Sequence, residues 1–121
     1  MNIEKIIYYV STAIMSMVFL FSAYMYFTNY EAVLGFFDNF GFPGWLVYPL
    51  AIFKVLGVIA IWSRLSHLLK EWAYAGFFFD AVLALTAHNV ADDGGAMFSI
   101  IAIITIIISR FMEWRVFKTP L

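Results

Sequence analysis

The chain has 121 residues, 64% of them hydrophobic, 21% aromatic and only 12% charged, with a formal net charge of −1 and a mean hydropathy of +0.91. A soluble domain has about a quarter of its residues charged, so this composition excludes both a water-soluble fold and intrinsic disorder. Seven Lys plus Arg make no nucleic-acid footprint, and the absence of cysteine removes disulfides, thiolate metal sites and iron–sulfur clusters, leaving an integral membrane protein.

The first apolar stretch, residues 6–27, contains no charge and exceeds the ~20 residues that span a hydrocarbon core as a helix. It is too long for the apolar region of a signal peptide, and Phe27-Thr28-Asn29 makes a poor cleavage site, so it is read as a retained helix. Residues 28–44 form the one long connection. Within it Val33, Phe36, Phe37 and Phe40 recur at helical spacing, with Glu31, Asp38 and Asn39 on other faces. This predicts a short amphipathic helix, either lying in the outer membrane interface or packed as a lid on the other helices. Gly41-Phe42-Pro43-Gly44 then turns the chain into a second span at 45–62. A third is expected at 72–90 and a fourth at 96–112.

Trp45, Trp62, Trp72 and Trp114 stand at or near segment ends, where indole prefers the water–lipid boundary. The apolar runs are uninterrupted and show no strand-like alternation, which favours helices over a β-barrel. The predicted fold is an all-α integral membrane four-helix bundle, a single domain over 1–121. Its surroundings are the lipid bilayer.

The basic residues predict sidedness. Lys5, Arg64, Lys70, Arg110, Arg115 and Lys118 flank the inner ends of the spans, whereas the other two loops carry Glu31, Asp38, Asp92 and Asp93. Basic loops stay on the cytoplasmic side, so both termini and the middle loop are expected there. The seventh basic residue, Lys54, falls inside the second span.

Lys54 lies nine residues past Trp45, roughly 13 Å along its helix, and Asp80 lies ten residues before Val90, roughly 15 Å along an antiparallel helix. The two charges are therefore expected at similar depth on consecutive helices. An isolated charge there costs at least ~2.5–3.5 kcal/mol, so the two are expected to pair. Small-residue stripes, Ala73, Gly76, Asp80, Ala84 and Ala87 on one helix and Leu50, Lys54, Gly57 and Ile61 on the other, are expected to face inward. On the first helix Ser11, Ser16 and Ser22, with Tyr8, Tyr9, Tyr24 and Tyr26 near its two ends, include candidate polar partners. Such a pair either fixes helix register or marks a proton path, quinone site or substrate site. The other thirteen charged residues are expected at or beyond the membrane surfaces.

His88 follows Asp80 by two turns and is expected at the outer mouth, near Asn89, Asp92 and Asp93. A divalent-cation site there with Glu31 and Asp38 is a weak reading, and no metal is expected. His67 and His88 fall at opposite membrane sides, so one protomer does not clamp a haem between them. No catalytic triad, Walker loop or dinucleotide fingerprint is present.

The stretches GFPGWLVYPLAIFKVLGVIAI (41–61) and LKEWAYAGFFFDAVLALTAH (69–88) resemble the DoxX-like family of small four-helix membrane proteins. The resemblance places Lys54, Leu56-Gly57, Glu71–Gly76, Asp80 and Ala87-His88 on the family pattern. It implies a bacterial cytoplasmic-membrane protein. The family takes its name from a membrane subunit of a thiosulfate:quinone oxidoreductase, and other relatives are thought to act in redox complexes or as assembly factors. That subunit works with a partner, so the chain is not expected to be an enzyme by itself. Nothing in its residues identifies thiosulfate, and an acidic mouth would repel an anion. Two readings remain: an accessory subunit binding a quinone or lipid through Lys54, Asp80 and His88, and a non-enzymatic scaffold or assembly factor binding other membrane helices. Either is compatible with a membrane-protein partner or a homo-oligomer.

Overall fold

Long runs of Ile, Leu, Phe and Ala, with Pro43 in a turn and Pro49 in a first helical turn, leave little but helix. A computed structural model describes residues 3–91 and 96–117 and contains, among them, no strand. The helices are α1 (Ile3–Thr28), α2 (Tyr30–Phe40), α3 (Val47–Ser63), α4 (His67–Ala91) and α5 (Ala96–Phe117), with a 3-10 turn at Gly44–Leu46 before α3. Asp92, Asp93 and Lys118, used above to predict sidedness, lie outside the described residues.

Two helices outrun their expected spans by five residues at one end: α4 begins at His67 rather than 72, and α5 continues to Phe117 rather than 112. Apolarity marks depth in lipid, whereas the helix continues as long as charged residues in its end turns find partners. Three segments, Ile3–Thr28, Gly44–Ser63 and Ala96–Phe117, are long and apolar enough to cross a membrane. The third expected span, 72–90, falls in α4. It has the length, at 25 residues, but carries Lys70, Glu71, Asp80 and His88.

Packing runs α1 on α5 and α3, and α4 on α5 and α3, while α2 rests on α1, α3 and α4. Met15, Phe19, Ile61, Phe77, Ala102 and Ile106 form the main core. The surface pattern is inverted relative to a soluble protein. Ser11, Thr12, Ser16, Lys54, Lys70, Ser109 and Glu113 are buried, whereas Met17, Leu56, Phe79, Met97 and Phe98 are exposed. Lipid imposes no penalty on exposed apolar groups, and small polar side chains inside can bond across helices.

The buried face of α4 differs from the small-residue stripe expected. Lys70, Ala73, Tyr74, Phe77 and Ala81 are buried, and Gly76, Asp80, Ala84 and Ala87 stand at the edge. Close approach explains the rotation. A Cβ built on Gly57 would lie 2.6 Å from the Phe77 ring, and one on Gly76 would lie 2.5 Å from the Phe53 ring, so each glycine receives an aromatic from the facing helix. The α3 stripe keeps its expected orientation, with Lys54, Gly57 and Ile61 buried.

Helix α2 ends on Gly41 in the left-handed conformation (φ 82°, ψ 18°). Gly41 N–H donates to the Asp38 carbonyl at 3.1 Å and Phe42 N–H to the Phe37 carbonyl at 2.8 Å, with the Phe37 and Phe42 rings in edge contact. This pattern of two bonds plus an apolar clasp is the Schellman termination. It turns the chain back so that Val33 and Phe37 pack with Val47.

Candidate functional site

Two polar centres occupy the interior, one beneath α2 and one at the far end of the helices. In the first, Lys54 is held by the middle of α3 and is 3% exposed. Its Nζ donates to Ser22 Oγ of α1 at 2.8 Å, lies 3.6 Å from Asp80 Oδ2 of α4, and stands 4.2 Å from the centroid of the Tyr26 ring. A buried ammonium so placed has an acceptor, a counter-charge and an aromatic face, which together offset its desolvation. Asp80 is a quarter exposed, on the cavity side.

That cavity, about 640 Å³, extends from Lys54 up beneath α2. Its polar lining is Ser22, Tyr26, Lys54, Asp80, His88 and Ser99; the remainder is Phe, Met, Val and Ala. Val33, Phe36, Phe37 and Phe40 of α2 form its roof, and Phe40 meets the His88 ring edge-on at 5.1 Å. Lys54, Asp80 and His88 thus line one cavity. Its size is within the ~300–1,000 Å³ of small-molecule sites. A cationic donor, a hydroxyl and a carboxylate inside apolar walls can hydrogen-bond a polar head group. Among the described residues no three His, Cys, Asp or Glu side chains converge as metal ligands would. His67 and His88 stand at opposite ends of α4, about 32 Å apart along the helix.

The second centre was not foreseen. Glu113 of α5 is fully buried, and its Oε1 accepts from Arg64 Nη1 at 2.6 Å and from Lys70 Nζ. Arg110 Nη1 lies 3.1 Å from the other oxygen, and Arg110 Nε lies 3.0 Å from Glu71. Arg64 closes α3 with a positive φ of 55° and lies over the Phe117 ring at 3.7 Å. Burial works against its charge, but the bond and attraction to Glu113, helped by Tyr8, outweigh it and hold the guanidinium pKa above its ordinary value. Beside this knot, Ser109 Oγ is shared by Thr12 at 2.6 Å and Tyr74 at 2.7 Å, and Trp62 donates to Ser16 at 2.7 Å.

Lys54 is therefore not alone as a buried charge: Lys70 and Glu113 are buried as well. Proximity to a span end does not imply contact with water when the neighbouring helices close over the side chain. One signal was present in the sequence. Thr105, Ser109 and Glu113 recur every four residues on the largely apolar α5, which puts a polar stripe on one helix face.

A model of the DoxX-like family matches residues 10–109 of the chain. The chain belongs to the DoxX-like family. With three helices fit to cross a bilayer and an apolar exterior, it is a multi-pass membrane protein. The matched stretch of this DoxX-like chain includes Ser22, Lys54, Asp80 and His88 and stops short of Glu113. Comparisons with curated proteins and with solved structures found no match.

Proposed function

We propose that this DoxX-like protein is an accessory membrane subunit that binds a quinone, or a lipid with a similar head, for a redox complex whose electron-transferring partner is a separate chain. The observation that carries this reading is the cavity of about 640 Å³ with Lys54 and Asp80 as its charged lining. A bound quinone would supply two-electron, two-proton chemistry. Lys54 donates a hydrogen bond to a carbonyl oxygen and stabilises negative charge that develops there, while Asp80, cavity-facing, exchanges a proton. The aromatic roof of α2 excludes water from the head.

The same reading gives α4 the role of a fourth span. The charges that lower its apolarity are turned toward partners: Lys70 toward Glu113, Glu71 toward Arg110, and Asp80 toward Lys54. The resulting single-domain four-helix bundle has both termini and the α3–α4 loop on the cytoplasmic side of a bacterial inner membrane, with α2 at the outer interface. A second reading, a scaffold or assembly factor for other membrane helices, is favoured by the exposed Ile100, Ile104 and Ile107 on α5.

Extraction of the full chain in native-lipid nanodiscs, followed by mass spectrometry and an absorption spectrum, tests the choice. Quinone at about one per chain, lost in Lys54→Met, is the expected result. Quinone no richer than in bulk lipid, with a stable co-purifying membrane protein, supports the scaffold instead.

A further inference from the structure

The cavity wall is buried or half-buried except on one side. Met17 and Phe21 of α1 and Phe98 of α5 line the cavity and are also 68%, 59% and 64% exposed, and Phe36 of α2 joins them at 50%. A residue that both lines a cavity and is exposed on the outer surface marks an opening. This one lies between α1 and α5, which pack closely farther down, where Thr12 bonds Ser109. Among the described residues no charged side chain belongs to the opening; Lys54 lies behind it at 3% exposure.

From this geometry we infer that the ligand is a long-chain amphiphile that reaches the cavity sideways from the lipid between α1 and α5, with its head at Lys54 and its tail left across Met17, Phe21 and Phe98. The inference rests on the proposed binding of a quinone or lipid head and adds the tail and the route. Three observations converge. The exposed apolar groups at the opening meet lipid without cost, so they need no cover when the site is empty. A water-soluble ion passing them would lose its hydration with no polar contact until it reached Lys54. On the roof side, the ring contact of Phe40 with His88 and the packing of Val33 and Phe37 against Val47 join α2 to α4 and α3, leaving the α1–α5 gap as the open side among the described residues. The substrate class is therefore an isoprenoid or acyl chain bearing a head that accepts hydrogen bonds.

The test uses the full chain in nanodiscs and a benzoquinone carrying a photoreactive diazirine on a long tail, with adducts mapped by mass spectrometry. Adducts on Met17, Phe21 or Phe98 are expected in clear excess over those on Phe79, which is 69% exposed on α4 and absent from the cavity lining. Excess unlabelled long-tailed quinone should remove them. A tailless benzoquinone, compared at equal mole fraction in lipid, should compete about tenfold less well or worse. Phe98→Ala and Met17→Ala should weaken the tailed compound and leave the tailless one unchanged. If tailed and tailless compounds compete equally, or competable tail adducts fall elsewhere, the route is overturned while head binding stands. If no adduct is competable and neither compound binds, the proposed function falls with it.

Discussion

Phe19 of α1 and Phe77 of α4 stack with ring centroids 4.0 Å apart and planes 12° from parallel. Along both helices this pair lies between the two polar centres. Ser22 and Asp80 are on one side of it, Ser16 and Tyr74 on the other. The stack is an apolar partition that keeps Lys54 and the Glu113 network in separate compartments. Phe77→Ala should cost about 3–5 kcal/mol, as for other buried aromatics, and lower the melting temperature in detergent. Because the rings touch, Phe19→Ala combined with Phe77→Ala should cost less than the sum of the two. Additive losses would show that the stack does not couple the helices.

Lys54 separates a binding role from a folding role. Exchanging the charges, Lys54→Asp with Asp80→Lys, keeps an ion pair but removes the ammonium from Ser22 and the Tyr26 ring. The swapped protein should fold, by unchanged gel filtration and helical circular dichroism, yet retain at least about tenfold less quinone, the value of a charge-assisted hydrogen bond. Recovery of both folding and quinone retention would sink the functional reading of the pair.

Glu113→Gln removes the charge that neutralises buried Lys70 and leaves Arg64 and Arg110 competing for a neutral amide. The expected loss is about 3–5 kcal/mol, measured by thermal unfolding. Glu113→Met with Lys70→Met should cost less than Glu113→Gln alone, because no uncompensated buried charge remains. Quinone retention should survive in every variant that still folds, since the partition isolates this centre from the cavity.

Gly57→Val pushes a branched side chain into Phe77, which is fully buried and stacked on Phe19 and cannot swing away. A loss of about 1–3 kcal/mol is expected from overpacking. Gly35→Val on α2 is the control: nothing lies within 4 Å of its added Cβ, so no overpacking loss should appear. Equal destabilisation at both positions would show that the close approach of α3 and α4 does not depend on that glycine.

The chain has no native cysteine, so single cysteines report sidedness without background. Asp92→Cys should react with a membrane-impermeant maleimide added outside intact cells, and Lys118→Cys only after permeabilisation. The opposite labelling would invert the proposed topology.

The class of protein and its helices were legible because hydropathy acts locally: a run of apolar residues spans lipid whatever its neighbours do. Lys54 and Asp80 stood out for the same reason, since a charge inside an apolar run is conspicuous without knowledge of the fold. The amphipathic α2 was legible as a helix with a lid among its two expected seats, but the cavity beneath it was not. Tertiary structure alone decided which side of α4 faces inward, because that depends on Gly57 on another helix giving room to Phe77. It also decided that Glu113 and Lys70 are interior charges, although both sit in helix-end turns that read as solvated. Burial is a property of what closes over a side chain, and for these two the neighbours arrive from α3, α4 and α5 across gaps of more than forty residues in the chain.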